Sequence, residues 1–130
     1  MMEPKWVLEE VVLAIHTMLL SEHGGATGIR DEAMLQSALS RAPQKFAYEE
    51  DASHFDLAAA YSFGLAKNHP LIDGNKRVAF TVGVLSLEFN GYEFVATEAD
   101  ATITFESLAA SKVDEKELSR WFEMNVARSS

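Results

Sequence analysis

No cysteine occurs among the 130 residues, which excludes a disulfide framework and any thiolate metal site. Proline and glycine are sparse, at three and seven, too few for a linker-rich or low-complexity chain. Cations are scarce as well. Eleven Lys and Arg face twenty Asp and Glu, for a formal net charge of −9, so there is no excess of basic side chains to neutralise nucleic-acid phosphates or to settle on an anionic membrane. No apolar run is long enough to span a bilayer, and the start, M-M-E-P-K-W, lacks the basic and apolar segments of a secretory signal. No direct nucleic-acid binding and no membrane association are expected, and a cytoplasmic location in a bacterial cell is.

What the chain does have is apolar content, 48% of all residues, enough for a real core in one domain covering residues 1–130. Apolar positions at helical spacing from Pro4 to about Leu20 predict a first helix ended by Gly24-Gly25, with Pro4 in its first turn and His16 on its polar side. Asp31 is the expected N-cap of a second helix through Leu39, stopped or bent by Pro43. The following K-F-A-Y-E-E-D reads as an irregular or short extended connector. Ser53, with an acid three residues on, opens a helix to about Lys67, and Asn75 opens another to Asn90. Both are apolar on nearly every side, the mark of buried helices. Y-E-F-V-A reads as a short strand or an extended link. Thr97 caps a helix over roughly 98–110, and Asp114 with Glu117 opens a last one carrying Leu118, Trp121, Phe122 and Val126. The pattern predicts an all-α fold, a compact helical bundle.

Between the two most apolar helices stands N-H-P-L-I-D-G-N-K-R, residues 68–77. The first N–H groups of a helix have no intrahelical partner and carry positive partial charge. Placing Lys76 and Arg77 there opposes the helix dipole, and a bound anion, phosphate above all, relieves the conflict. Lys67 adds a third cation nearby. Gly74 permits a tight turn or close approach to a ligand. Asp73 is the carboxylate that a Mg²⁺ ion shared with phosphate oxygens requires. His69 is the one group of the stretch that titrates near neutral pH, hence the candidate general base. Singly, each residue has a plainer role, since Asp-Gly-Asn makes a good turn and cap by itself. Together they point to phosphoryl or nucleotidyl transfer. The remaining histidines, His16, His23 and His54, show no metal-ligand spacing, and no P-loop pattern occurs.

The stretch H-P-L-I-D-G-N-K-R resembles the signature of the Fic/Doc superfamily: histidine, any residue, phenylalanine, any residue, an acid or asparagine, glycine or alanine, asparagine, glycine or lysine, arginine. It is most similar to the death-on-curing (Doc) branch, and G-I-R-D-E-A-M-L-Q-S-A-L-S-R-A-P-Q-K-F-A-Y-E-E resembles the segment that branch carries upstream. The resemblance covers most of residues 8–95. It implies a compact helical fold with at most a short β-hairpin flap, the flap matching Lys45–Glu50 and clamping a target segment as an added strand. It further implies His69 as the base that deprotonates a hydroxyl of a target protein, Asp73 as the Mg²⁺ ligand, Gly74 and Asn75 as the anion-binding loop, and Lys76 and Arg77 on the phosphates. The function implied is that of the toxin of a type II toxin–antitoxin pair. Such a toxin transfers phosphate from ATP or another nucleoside triphosphate to a host protein, translation elongation factor Tu being the candidate, and so blocks translation. A cognate antitoxin is the implied partner. The alternatives are a Fic-type AMP transferase and a non-catalytic partner-binding module. Leu71 departs from the signature in place of phenylalanine, whereas Lys76 for the Fic-type glycine, and Phe80 where Fic enzymes often have a second arginine, differ from Fic enzymes and follow the Doc branch.

Overall fold

The computed structural model describes residues 2–128. Six helices follow one another: α1 (Glu9–His23), α2 (Glu32–Tyr48), α3 (His54–Asn68), α4 (Asn75–Phe89), α5 (Glu98–Ala109) and α6 (Glu115–Met124). Two three-residue strands, β1 (Tyr92–Phe94) and β2 (Val126–Arg128), pair antiparallel with Phe94 opposite Val126. The all-α expectation holds.

Local chemistry explains most helix starts. Asp31 accepts the Met34 N–H, Thr97 that of Asp100, and Ser53–Asp56 and Asp114–Glu117 form reciprocal capping boxes, each satisfying amides the helix itself leaves unpaired. Asp56 also accepts a bond from the Ser119 hydroxyl, at 2.6 Å, which ties α3 to α6. Burial pushes its carboxyl up, but the bonds from Ser119 and Ser53 outweigh that and hold its pKa below the usual value.

α3 is the hub. Its alanines 58, 59, 60 and 66 are buried, as are Leu57, Tyr61, Ser62, Gly64 and Leu65, and small side chains on several faces let α2, α4 and α6 approach closely. Against α2, a Cβ built on Gly64 would meet the Ala38 backbone at 3.1 Å. Against α4, the buried Ser62 hydroxyl donates to the Ala79 carbonyl at 2.7 Å. A Cβ on Gly83 would lie only 2.1 Å from that same oxygen and 2.8 Å from the Phe122 ring. Gly83→Ala should therefore destabilise the fold by about 1–3 kcal/mol through overpacking, despite the better helix propensity of alanine. Chemical denaturation checks this, and a variant as stable as the parent would show that α3 and α4 are less tightly joined than described.

Several boundaries differ from the sequence expectation, each through a distant partner. α1 begins at Glu9, not near Pro4. Residues before it are held extended because the Val7 amide donates to the buried Tyr61 hydroxyl at 3.0 Å and Lys5 exchanges two backbone bonds with the Asn90 side chain. α2 runs through Pro43 to Tyr48, so Lys45–Tyr48 is its last turn and not an extended flap. Proline removes one backbone bond there, but the turn beyond it is docked. Phe46 meets Trp6 edge-on at 5.7 Å, while Arg41 and Lys45 both pair with Glu115 of α6. Val126 leaves the last helix to enter β2, after the Asn125 side chain bonds back to the Trp121 carbonyl. His16 is buried rather than on a polar face, 4% exposed.

Candidate active site

The loop from α3 to α4 turns on two left-handed residues. α3 ends with His69 at φ 48°, ψ 53°, and α4 is entered through Gly74 at φ 78°, ψ 16°. Glycine adopts this conformation freely, whereas histidine does so against a steric cost. Between them Pro70 and Leu71 are buried, and Leu71, 1% exposed, anchors the loop in the core in place of the expected phenylalanine.

The α1–α2 connection supports the loop from outside. Ile29 bridges Leu71, the Arg30 and Asp31 amides both donate to the Pro70 carbonyl, and the Ile72 amide donates to the Gly28 carbonyl. The Arg30 guanidinium adds two bonds, Nε to the His69 carbonyl at 2.6 Å and Nη2 to the Asn68 carbonyl at 2.8 Å. From α1, His16 Nε2 donates to the Asp73 carbonyl at 2.9 Å. Neither Arg30 nor His16 was singled out from sequence. His16 sits four residues beyond Val12, on the apolar stripe of α1, and that spacing was an available signal. Nothing local marks Arg30.

Asn75 closes the loop from within. Its side chain is buried, with Oδ1 accepting from the Leu71 amide at 3.0 Å and Nδ2 donating to the Leu71 carbonyl at 2.9 Å. These two bonds fix which end of the amide is which, so the second Nδ2 hydrogen faces His69 Nδ1, 3.4 Å away. That contact is long for a hydrogen bond.

The start of α4 has no side-chain cap and no acidic residue in its first turn. Lys76 and Arg77 are exposed there, and neither joins an ion pair among the described residues. His69, Asp73, Gly74, Asn75, Lys76 and Arg77 all border one cavity of about 960 Å³, which continues along α4 past Phe80 to β1 and α5. Lys67 is not among its walls. It is bonded to the Ser111 hydroxyl and stands over the Phe63 ring. Phe80 meets Phe94 at 5.5 Å and Phe105 at 5.2 Å, both edge-on, so an aromatic wall fills the place one turn beyond Arg77.

Asp73 is exposed, and each of its carboxylate oxygens accepts one amide, from Ala26 at 3.2 Å and from Gly74 at 2.9 Å. Both retain a free lone pair. Among the described residues no group of three or more His, Cys, Asp or Glu could enclose a metal ion. A lone carboxylate beside an uncapped helix N-terminus is a donor set that fits Mg²⁺ shared with phosphate oxygens and water, and fits no all-protein cage.

Residues 6–87 match the sequence model of the Fic/DOC family. The chain is 30% identical over 95 residues to the protein kinase doc of Escherichia phage P1, a match covering 73% of this chain and 75% of that protein. It is 41% identical over 75 residues to the toxin Doc of Mycolicibacterium smegmatis, covering 56% of this chain and 57% of the relative.

Proposed function

The chain belongs to the Fic/DOC family, and from that premise we propose that it is a Doc-type toxin that transfers the terminal phosphate of a nucleoside triphosphate to a hydroxyl of a host protein. The observation that carries this reading is the start of α4: an uncapped helix N-terminus flanked by two exposed cations, opening on the same cavity as His69 and Asp73. The amides at that helix start and the Lys76 and Arg77 side chains bind the phosphate chain. When bound, Mg²⁺ held by Asp73 supplies neutralisation of phosphate charge. The His69 imidazole takes the proton of the acceptor hydroxyl. The hydroxyl oxygen forms a bond to the terminal phosphorus, the bond from that phosphorus to the bridging oxygen breaks, and the nucleoside diphosphate leaves. Positioning and charge neutralisation supply most of the acceleration in such a reaction.

Transfer of phosphate, rather than of the nucleoside monophosphate, is favoured by Lys76 and Phe80. A lysine at position 76 fills space that glycine would leave for close backbone approach. Phe80 is engaged with Phe94 and Phe105, so no second cation follows Arg77 on that face of α4. With one phosphate clamp fewer, the terminal phosphate is the one presented to the acceptor. A cognate antitoxin is the proposed restraint on the toxin, and translation elongation factor Tu, whose modification would block translation, is the proposed acceptor.

ATP labelled at the α or the γ position, incubated with the protein, Mg²⁺ and a bacterial lysate, tests the reading. Label should enter a lysate protein from γ only. Entry from α means AMP transfer, and entry from neither points to a non-catalytic binding module.

A further inference from the structure

We infer that Arg30 is a positioning residue: its guanidinium sets the backbone conformation of His69 and so aims the imidazole at the reacting hydroxyl. This rests on the proposal that His69 is the base.

A residue's φ and ψ are the rotations of the peptide planes before and after its Cα. For His69 the plane before carries the Asn68 carbonyl and the plane after carries its own. Arg30 binds both at once, through Nη2 and Nε of one rigid planar group, at 2.8 and 2.6 Å. A fork of fixed geometry on two successive carbonyls leaves the residue between them little freedom in either angle. The next carbonyl, that of Pro70, is held by the Arg30 and Asp31 amides at 2.7 and 3.1 Å. Three successive carbonyls are thus bound by two successive residues.

The conformation so fixed is one that few residues other than glycine adopt. Of the described residues other than glycine, only His69 and Ser111 have positive φ, and His69 adopts it at the mouth of the candidate active site. A side chain binding the last carbonyls of a helix is common as a simple cap. A simple cap, however, would be met by any cation near the Asn68 carbonyl. Here the shorter of the two bonds goes to His69 itself. Asn75 then orients the ring from the other side through Nδ1, so backbone and imidazole are each held by a separate group. Support of a reacting group by a neighbour that never touches substrate is how side chains are kept within productive geometry.

Arg30→Ala should lower the rate of γ-label transfer into lysate protein at saturating ATP by about ten- to a hundredfold, the scale expected of a misplaced reacting group. Affinity for Mg²⁺-ATP, read by calorimetry, should stay within about twofold, because Arg30 is outside the phosphate-binding residues. In protein labelled at histidine, the His69 amide-to-Hα coupling, which reports φ, and its ring resonances should both move. Added guanidinium ion should recover part of the lost rate. On a His69→Ala background Arg30→Ala should cost nothing further, because the group it positions is gone. Unchanged transfer, or an unmoved His69 coupling, overturns the inference. If the parent protein itself transfers no label, the proposed function fails, and the coupling alone still decides whether Arg30 sets His69. Should Arg30→Ala not fold, Arg30→Lys decides. It keeps the charge but cannot hold both carbonyls in one plane, so a loss of about tenfold with ATP affinity intact supports the inference, and full activity overturns it.

Discussion

His69→Ala should reduce γ-label transfer by about a hundredfold or more, the usual contribution of a positioned general base, and abolish growth inhibition on expression. The fold should be nearly indifferent to the change. His69 is exposed, its only side-chain bond is the 3.4 Å contact with Asn75, and exposed substitutions of this kind shift stability by about 0.5 kcal/mol or less. Alanine meets the same left-handed strain as histidine, so the backbone gains or loses little. Mg²⁺-ATP should still bind, since the proposed phosphate-binding groups at the start of α4 are untouched. Rate lost with binding and folding retained is the pattern of an interaction made only in the transition state. A variant that transfers label at the parental rate removes His69 from the chemistry.

The candidate site could be read from sequence because its chemistry is contiguous. Residues 69 to 77 run from the end of α3 into the first turn of α4, and the expected starts of both helices agree with the structure. Capping boxes span four residues and need nothing from elsewhere in the chain. The misreadings share the opposite property. The extended stretch before α1 depends on Tyr61 and Asn90, and the continuation of α2 through Pro43 depends on Trp6 and on Glu115 of α6. No local propensity carries such partners. Lys67 shows how small the margin is. It is two residues from His69 and equally charged in any sequence count, yet the helix rotates it toward Ser111, away from the cavity. Arg30 is the converse case, a residue 39 positions from His69 that the fold places on its carbonyl.

Asn75→Ala should cost more than activity. Resemblance alone makes Asn75 a phosphate ligand, and its backbone amide, in the first turn of α4, is free for that role. The side chain is occupied otherwise. Both of its polar atoms are spent on Leu71, whose amide and carbonyl are buried with it. Alanine leaves that amide and that carbonyl without partners in a place water reaches poorly. Each buried group stranded this way costs about 1–3 kcal/mol, so a destabilisation of about 2–4 kcal/mol is expected, equivalent to a fall in Tm on the order of 10 °C for a chain of this size. The loop between Leu71 and Gly74 would loosen as well, and with it the hold on the His69 ring. γ-Label transfer should then fall by about a hundredfold, the penalty of a displaced reacting group. Thermal unfolding and ATP calorimetry separate the two roles. A variant with the parental Tm and weakened Mg²⁺-ATP binding would make the side chain a ligand. A lowered Tm, with ATP affinity largely retained at a temperature where the variant is folded, makes it the internal clasp of the loop, leaving phosphate binding to the backbone amides, Lys76 and Arg77.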